Sequence, residues 1–198
     1  MNMNSLNKLF FILAFSLSAN VSLASLHVEP IIGYSFGVSE HNESSDLIEY
    51  FYHSSELGAR VGWSYLGAHL GAECFIKLPF KKDNTSGNGS INFDNVISRY
   101  LGGFAEYHLP LLFIIRGRVI ISTQFEVENG NNKGDIYFGN GYGVGVGFTG
   151  LPLVVLNIDY RKYEFDEFED ATTSTTSGLD EKFKGHEVLF SASIPLDL

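Results

Sequence analysis

The 198-residue chain carries a net charge of −10 at pH 7, with 21 glycines, 17 phenylalanines, 10 tyrosines and one cysteine, Cys74. So acidic a chain is a poor partner for nucleic acid, and a lone cysteine excludes an internal disulfide framework. After residue 25 no apolar run can cross a bilayer as a helix; the strongest, Leu109–Ile115, is closed by Arg116, so any membrane role falls to strands.

The first 24 residues read as a signal peptide. Lys8 supplies the positive start, Leu9 to Ser18 a short apolar core, and Ser22-Leu23-Ala24 the small residues before a cleavage site after Ala24. Residues 25–198 are then one domain. Eight segments follow in which apolar residues recur at every second position, with approximate spans 26–38, 55–65, 67–78, 96–107, 112–126, 136–148, 153–163 and 184–198. Successive strand side chains point to opposite faces, so each segment has one apolar and one small or polar face. In 67–78, for example, Ala68, Leu70, Ala72, Cys74, Ile76 and Leu78 oppose His69, Gly71, Glu73, Phe75 and Lys77, with Leu70 expected mid-strand.

The connections alternate in length. Links 39–54, 79–95, 127–135 and 164–183 are long and polar, whereas those at Leu66, His108–Pro110 and Thr149–Pro152 are short. Short turns on one side and long loops on the other are the pattern of an up-and-down outer-membrane barrel. The expectation is an all-β, eight-stranded antiparallel transmembrane β-barrel following a cleaved signal peptide. Ala171 to Gly178 (ATTSTTSG) reads as a low-complexity loop.

Alternation alone does not say which face is inside, because a soluble lipocalin-like carrier also alternates. The polar face decides it. Gly139, Gly141, Gly143, Gly145 and Gly147 share one face of a single segment, which suits a crowded lumen better than a solvated exterior. That face also carries Glu29, Glu73, Glu106, Asp159 and Glu187 with Arg60, Lys77, Arg116, Arg118 and Arg161. Equal numbers of opposite charges imply a paired network that fills the lumen, since an unpaired buried charge is costly. Trp63, Tyr65, Tyr107 and Phe148 at the turn end, and Tyr34, Phe36, Phe125, Tyr142 and Tyr160 at the loop end, suggest two interfacial girdles.

Two cations share the apolar parity, Arg99 and Lys162. Both stand at the loop end of their strands, where they could reach lipopolysaccharide phosphate. The excess acid gathers in the long links, most densely at Glu164, Asp166, Glu167, Glu169 and Asp170. No spacing marks a catalytic centre, a cofactor or a metal site. His69 and Glu73 share a lumen face and read as part of the ion network.

Taken together, these features resemble the small outer-membrane barrels of the OmpX/OmpA type over residues 25–198. The resemblance implies a monomer in the outer membrane of a Gram-negative bacterium, in contact with its lipid and lipopolysaccharide and folded by the barrel-assembly machinery. Such chains usually finish on Phe or Trp, whereas this one ends Leu196-Asp197-Leu198. The group includes anchors, adhesins and a few lipid A-modifying enzymes. The last use a membrane-facing His with a Ser two residues on; after His186 that position is Val188, which favours a non-enzymatic, structural or surface-interaction role.

Overall fold

The computed structural model describes residues 25–43, 46–78, 82–84, 96–128, 133–171 and 175–198. The signal-peptide segment lies outside them. Eight long strands form the body: β1 (Ser25–Glu43), β2 (Asp46–Tyr65), β3 (Ala68–Lys77), β5 (Val96–Leu109), β6 (Phe113–Val127), β7 (Ile136–Leu151), β8 (Val154–Asp170) and β9 (Thr175–Ser193). Two fragments complete the set, β4 (Lys82–Asn84) beside β2 and β10 (Leu196–Asp197) beside β1. Each long strand pairs antiparallel with its neighbours in sequence, and β1 also pairs with β9, so the sheet closes into an eight-stranded ring. Closure leaves no long strand with an unpaired edge, the condition a sheet must meet inside lipid.

The last segment is interrupted rather than continuous. Ile31 pairs with Ser193 and Val28 with Leu196, which is one unbroken register. Pro30 and Pro195 fall in the gap, and neither has an N–H to give the ladder. A single bond from Ile194 N to Pro30 O, 3.2 Å, spans it.

The turns explain the short side. Tyr65 pairs with Ala68, and both residues between them, Leu66 and Gly67, have positive φ, 48° and 79°. Two left-handed residues twist the hairpin as its strands twist. The long side differs from expectation. Glu43 pairs with Asp46, so much of link 39–54 is strand. Asp170 likewise pairs with Thr175, and the ATTSTTSG stretch enters β9 at Thr175. The expected strand ends marked where a chain leaves lipid. Hairpin hydrogen bonds do not stop there, and segments rich in Tyr, Phe and Thr continue the ladder into water.

The faces are inverted relative to a soluble barrel. Ile32, Val61, Leu70, Val119, Ile121, Val144 and Ile158 are exposed, while Glu29, Glu73, Asp159, Arg60 and Arg161 are buried. This excludes the lipocalin-like alternative, whose apolar face would line the cavity. Cys74 is exposed on the outer face. Leu70 is not mid-strand: it is the third residue of β3 and pairs with Trp63 near the turn. Phe125 does not belong to the outer girdle. Ile121 is an extra residue in β6, since Gly102 pairs with Ile120 and Leu101 with Ser122. The bulge flips the parity beyond it, so Thr123 and Val127 are buried and Phe125 packs against the interior cluster.

Candidate functional site

The interior holds the chain's densest chemistry. Its residues come from every second position of facing strands, so cross-strand pairs meet over short distances. Arg60 on β2 stands at the centre of the lower layer. Its Nη1 donates to Glu29 at 2.8 Å and its Nε to Glu73 at 3.1 Å, while Nη2 lies 3.9 Å from Asp159. Arg118 donates to Asp159 at 2.6 Å and lies 3.5 Å from Glu73. Arg116 donates to Glu106 at 2.7 Å and reaches Asp159 at 3.3 Å and Asn157 at 3.3 Å. Three arginines and four carboxylates thus form one connected network across six strands.

A second layer lies nearer the loops. Arg161 donates to Glu56 at 2.7 Å and Glu187 at 2.9 Å. Lys77, Tyr52 and Tyr163 also donate to Glu187. Glu56, four residues before Arg60 on the same face, lies outside the lumen set expected from sequence, although parity alone marks it. Between the layers Phe75 and Tyr100 stack at 4.8 Å, with the Arg161 guanidinium 4.5 Å from the first ring and 4.8 Å from the second. Arg118 donates to the Tyr100 hydroxyl at 3.0 Å. Above the second layer Phe165 packs on Tyr163, and Phe125, Phe183 and Tyr137 pack against that cluster at the loop end.

At the turn end the lumen holds histidine. His27 and His69 are buried, with ring centroids 4.3 Å apart, and His108 lies 4.6 Å beyond His69. Glu106 Oε1 faces them, 2.9 Å from His69 Nδ1 and 3.7 Å from His108 Nε2. Sequence reading missed this group because its members sit on β1, β3 and β5. Only the shared lumen parity at the turn end signals it.

On the outside, Arg99 and Lys162 both face away from the lumen. Arg99 Nη2 lies 3.7 Å from Glu126 with both side chains about half exposed, and Lys162 stands opposite His186 on one side and Tyr142 on the other. Two tyrosine–histidine pairs flank the same rim: Tyr34 with His53, and Tyr160 with His186 at 2.8 Å. Ser54 follows His53 but turns inward, its Oγ donating to Leu78 O at 2.8 Å, so the two do not form a nucleophile–base pair.

No family model matches the chain, and no curated protein matches it. Solved structures do. Ail, the attachment invasion locus protein of Yersinia pestis, superimposes with a TM-score of 0.53 at 13% identity, covering 87% of this chain and 99% of that one. Neisserial surface protein A gives 0.52 at 14% identity over 86% and 97%. The outer membrane protein AlkL, determined in lipid bilayers, gives 0.54 at 12% identity over 88% and 91%. At such identities the likeness is one of fold: that of the small outer-membrane β-barrels. An apolar exterior around a charged interior, on that fold, belongs in an outer membrane.

Proposed function

We propose that this chain is a closed outer-membrane barrel that works through its outer rim and loops, as a structural or surface-interaction protein rather than an open channel or an enzyme. What supports the reading is the furnishing of the interior: two ion-paired layers, an aromatic pair between them and an aromatic cluster above. An eight-stranded barrel is just wide enough for its own side chains, so little room is left for a solute.

The rest of the reading follows from the surface. Arg99 and Lys162 are outward-facing cations within reach of lipopolysaccharide phosphate. The Glu126 partner of Arg99 is half exposed at 3.7 Å, a pairing weak enough to yield to a phosphate. The acidic loops lie on the same side, where divalent cations could bridge them to the anionic lipid. Residues 1–24 direct export and are removed after Ala24, and the assembly machinery inserts residues 25–198 as a monomer.

The test is conductance. Purified barrel added to planar bilayers in molar salt is expected to give no stepwise openings. Uniform steps whose frequency scales with protein added would refute the closed lumen.

A further inference from the structure

Three imidazoles and one carboxylate converge at the turn end, and their surroundings point to more than ion pairing. One ligand atom each from His27, His69 and Glu106 lies within 4.8 Å of the other two. His27 Nδ1 is 3.0 Å from Asp197 Oδ1, and its Nε2 faces the lumen, 3.5 Å from Glu29 Oε2. Glu106 Oε2 accepts from Arg116 Nε, which leaves Oε1 turned to the imidazoles of His69 and His108. Yet His27 Nε2, His69 Nδ1 and His108 Nε2 are buried without a well-formed hydrogen bond, each only facing a carboxylate oxygen: Glu29 at 3.5 Å, Glu106 at 2.9 Å and Glu106 at 3.7 Å respectively. Buried polar atoms are rarely left so, and three imidazole nitrogens gathered beside two carboxylates ask for a common partner.

We propose that this group binds a late first-row divalent cation, with zinc as the working choice, which clamps the turn end of the barrel. His27, His69 and Glu106 supply three ligands, and His108 or water the fourth. Imidazole nitrogen with one carboxylate is a donor set for zinc, nickel or copper, not for calcium or magnesium. The ligand atoms need to draw together, since four-coordinate zinc with ~2.1 Å bonds holds them ~3.4 Å apart. The supports are in place: Asp197 holds the far nitrogen of His27, as carboxylates commonly do behind metal-bound histidine, and Arg116 holds the far oxygen of Glu106. Charge also favours a cation. The buried lumen carries six carboxylates, Glu29, Glu56, Glu73, Glu106, Asp159 and Glu187, against five fixed cations, Arg60, Lys77, Arg116, Arg118 and Arg161.

The location gives the metal a task. His27 opens β1, and Asp197 belongs to β10, which pairs with it across the proline gap. An ion held by β1, β3 and β5 and backed by β10 would tie the first and last strands to the wall. His108, about a third exposed, is the entry from the turn-side solvent.

The experiment uses the folded barrel in detergent micelles, stripped with chelator and titrated with Zn²⁺ by calorimetry, and with Co²⁺ for its visible absorption. Wild type is expected to bind one equivalent and to unfold at a higher temperature when loaded. His27→Gln and His69→Gln each remove a ligand and are expected to weaken binding by more than the ~10–100-fold that loss of a supporting partner costs, and to lose the thermal gain. A His53→Gln, His186→Gln double variant on the outer face should bind as wild type does. Should the buried variants fail to fold, Asp197→Asn, which alters a half-exposed carboxylate, takes their place and is expected to weaken binding at least tenfold. No binding at ~100 μM Zn²⁺, an affinity far below that of structural zinc sites, would overturn the proposal. So would binding unchanged by the inner variants, or binding lost in the outer double variant.

Discussion

Replacing Ile158 by arginine tests the inverted faces and the depth scale together. Ile158 faces outward on β8, between Val146 and Phe190. A strand rising ~3.3 Å per residue at a tilt of ~40° gains ~2.5 Å of depth per residue. Ile158 lies five residues past Leu153 in the short turn, hence ~13 Å in, the middle of a ~25 Å apolar band. Arginine at that depth costs ~2–4 kcal/mol, falling to ~0–1 near the interfaces. Leu70 is only three residues beyond Gly67, beside Trp63, so Leu70→Arg should cost ~1 kcal/mol. The assay is guanidinium unfolding in phosphatidylcholine vesicles, read by the chain's only tryptophan, Trp63, which is 67% exposed on the outer face. Equal costs for the two variants, or less than ~1 kcal/mol for Ile158→Arg, would refute the depth assignment.

Unboiled barrel from outer membranes should migrate differently in SDS from boiled barrel, because every long strand is paired on both sides; identical mobility would contradict closure. Gly71→Val should destabilise by ~1–3 kcal/mol or more, since a Cβ there would sit 2.2 Å from Val61 O, whereas Gly117→Ala, with nothing within 4 Å, should leave the unfolding midpoint unchanged. Glu187→Gln strips the carboxylate shared by Lys77 and Arg161 and should cost ~3–5 kcal/mol in the same assay. Lipopolysaccharide in the vesicles should stabilise wild type more than an Arg99→Gln, Lys162→Gln double variant; equal stabilisation of both would remove these side chains from lipid binding.

The closed barrel was legible because alternation and loop length are properties of the chain itself. Each short turn restarts the parity count, so near the turns the two faces separate by parity: Glu29, Arg60, Glu73, Glu106, Arg116 and Asp159 are all buried. Two things stay hidden from a linear reading. One is how far a hairpin continues beyond lipid. That depends on backbone pairing, which the apolar pattern does not encode, and so the Glu43–Asp46 and Asp170–Thr175 closures fell inside expected loops. The other is a bulge, a single residue with no sequence mark of its own.

Ile121 shows what one unmarked residue does. Counted straight from Arg116 and Arg118, Phe125 belongs outside with the tyrosines of the rim. One inserted residue brings it inside, against Phe165 and Phe183. A parity count therefore holds only between a turn and the first bulge. Arg99 stands on the uninterrupted run of β5 and Lys162 on β8 below its irregularity at Asp166, so both keep the outward side that parity gives them. The histidine group needs no such care, since His27, His69 and Glu106 all lie within a few residues of the turn end. What hid it was distance along the chain: three strands contribute, and only the closed ring brings them together.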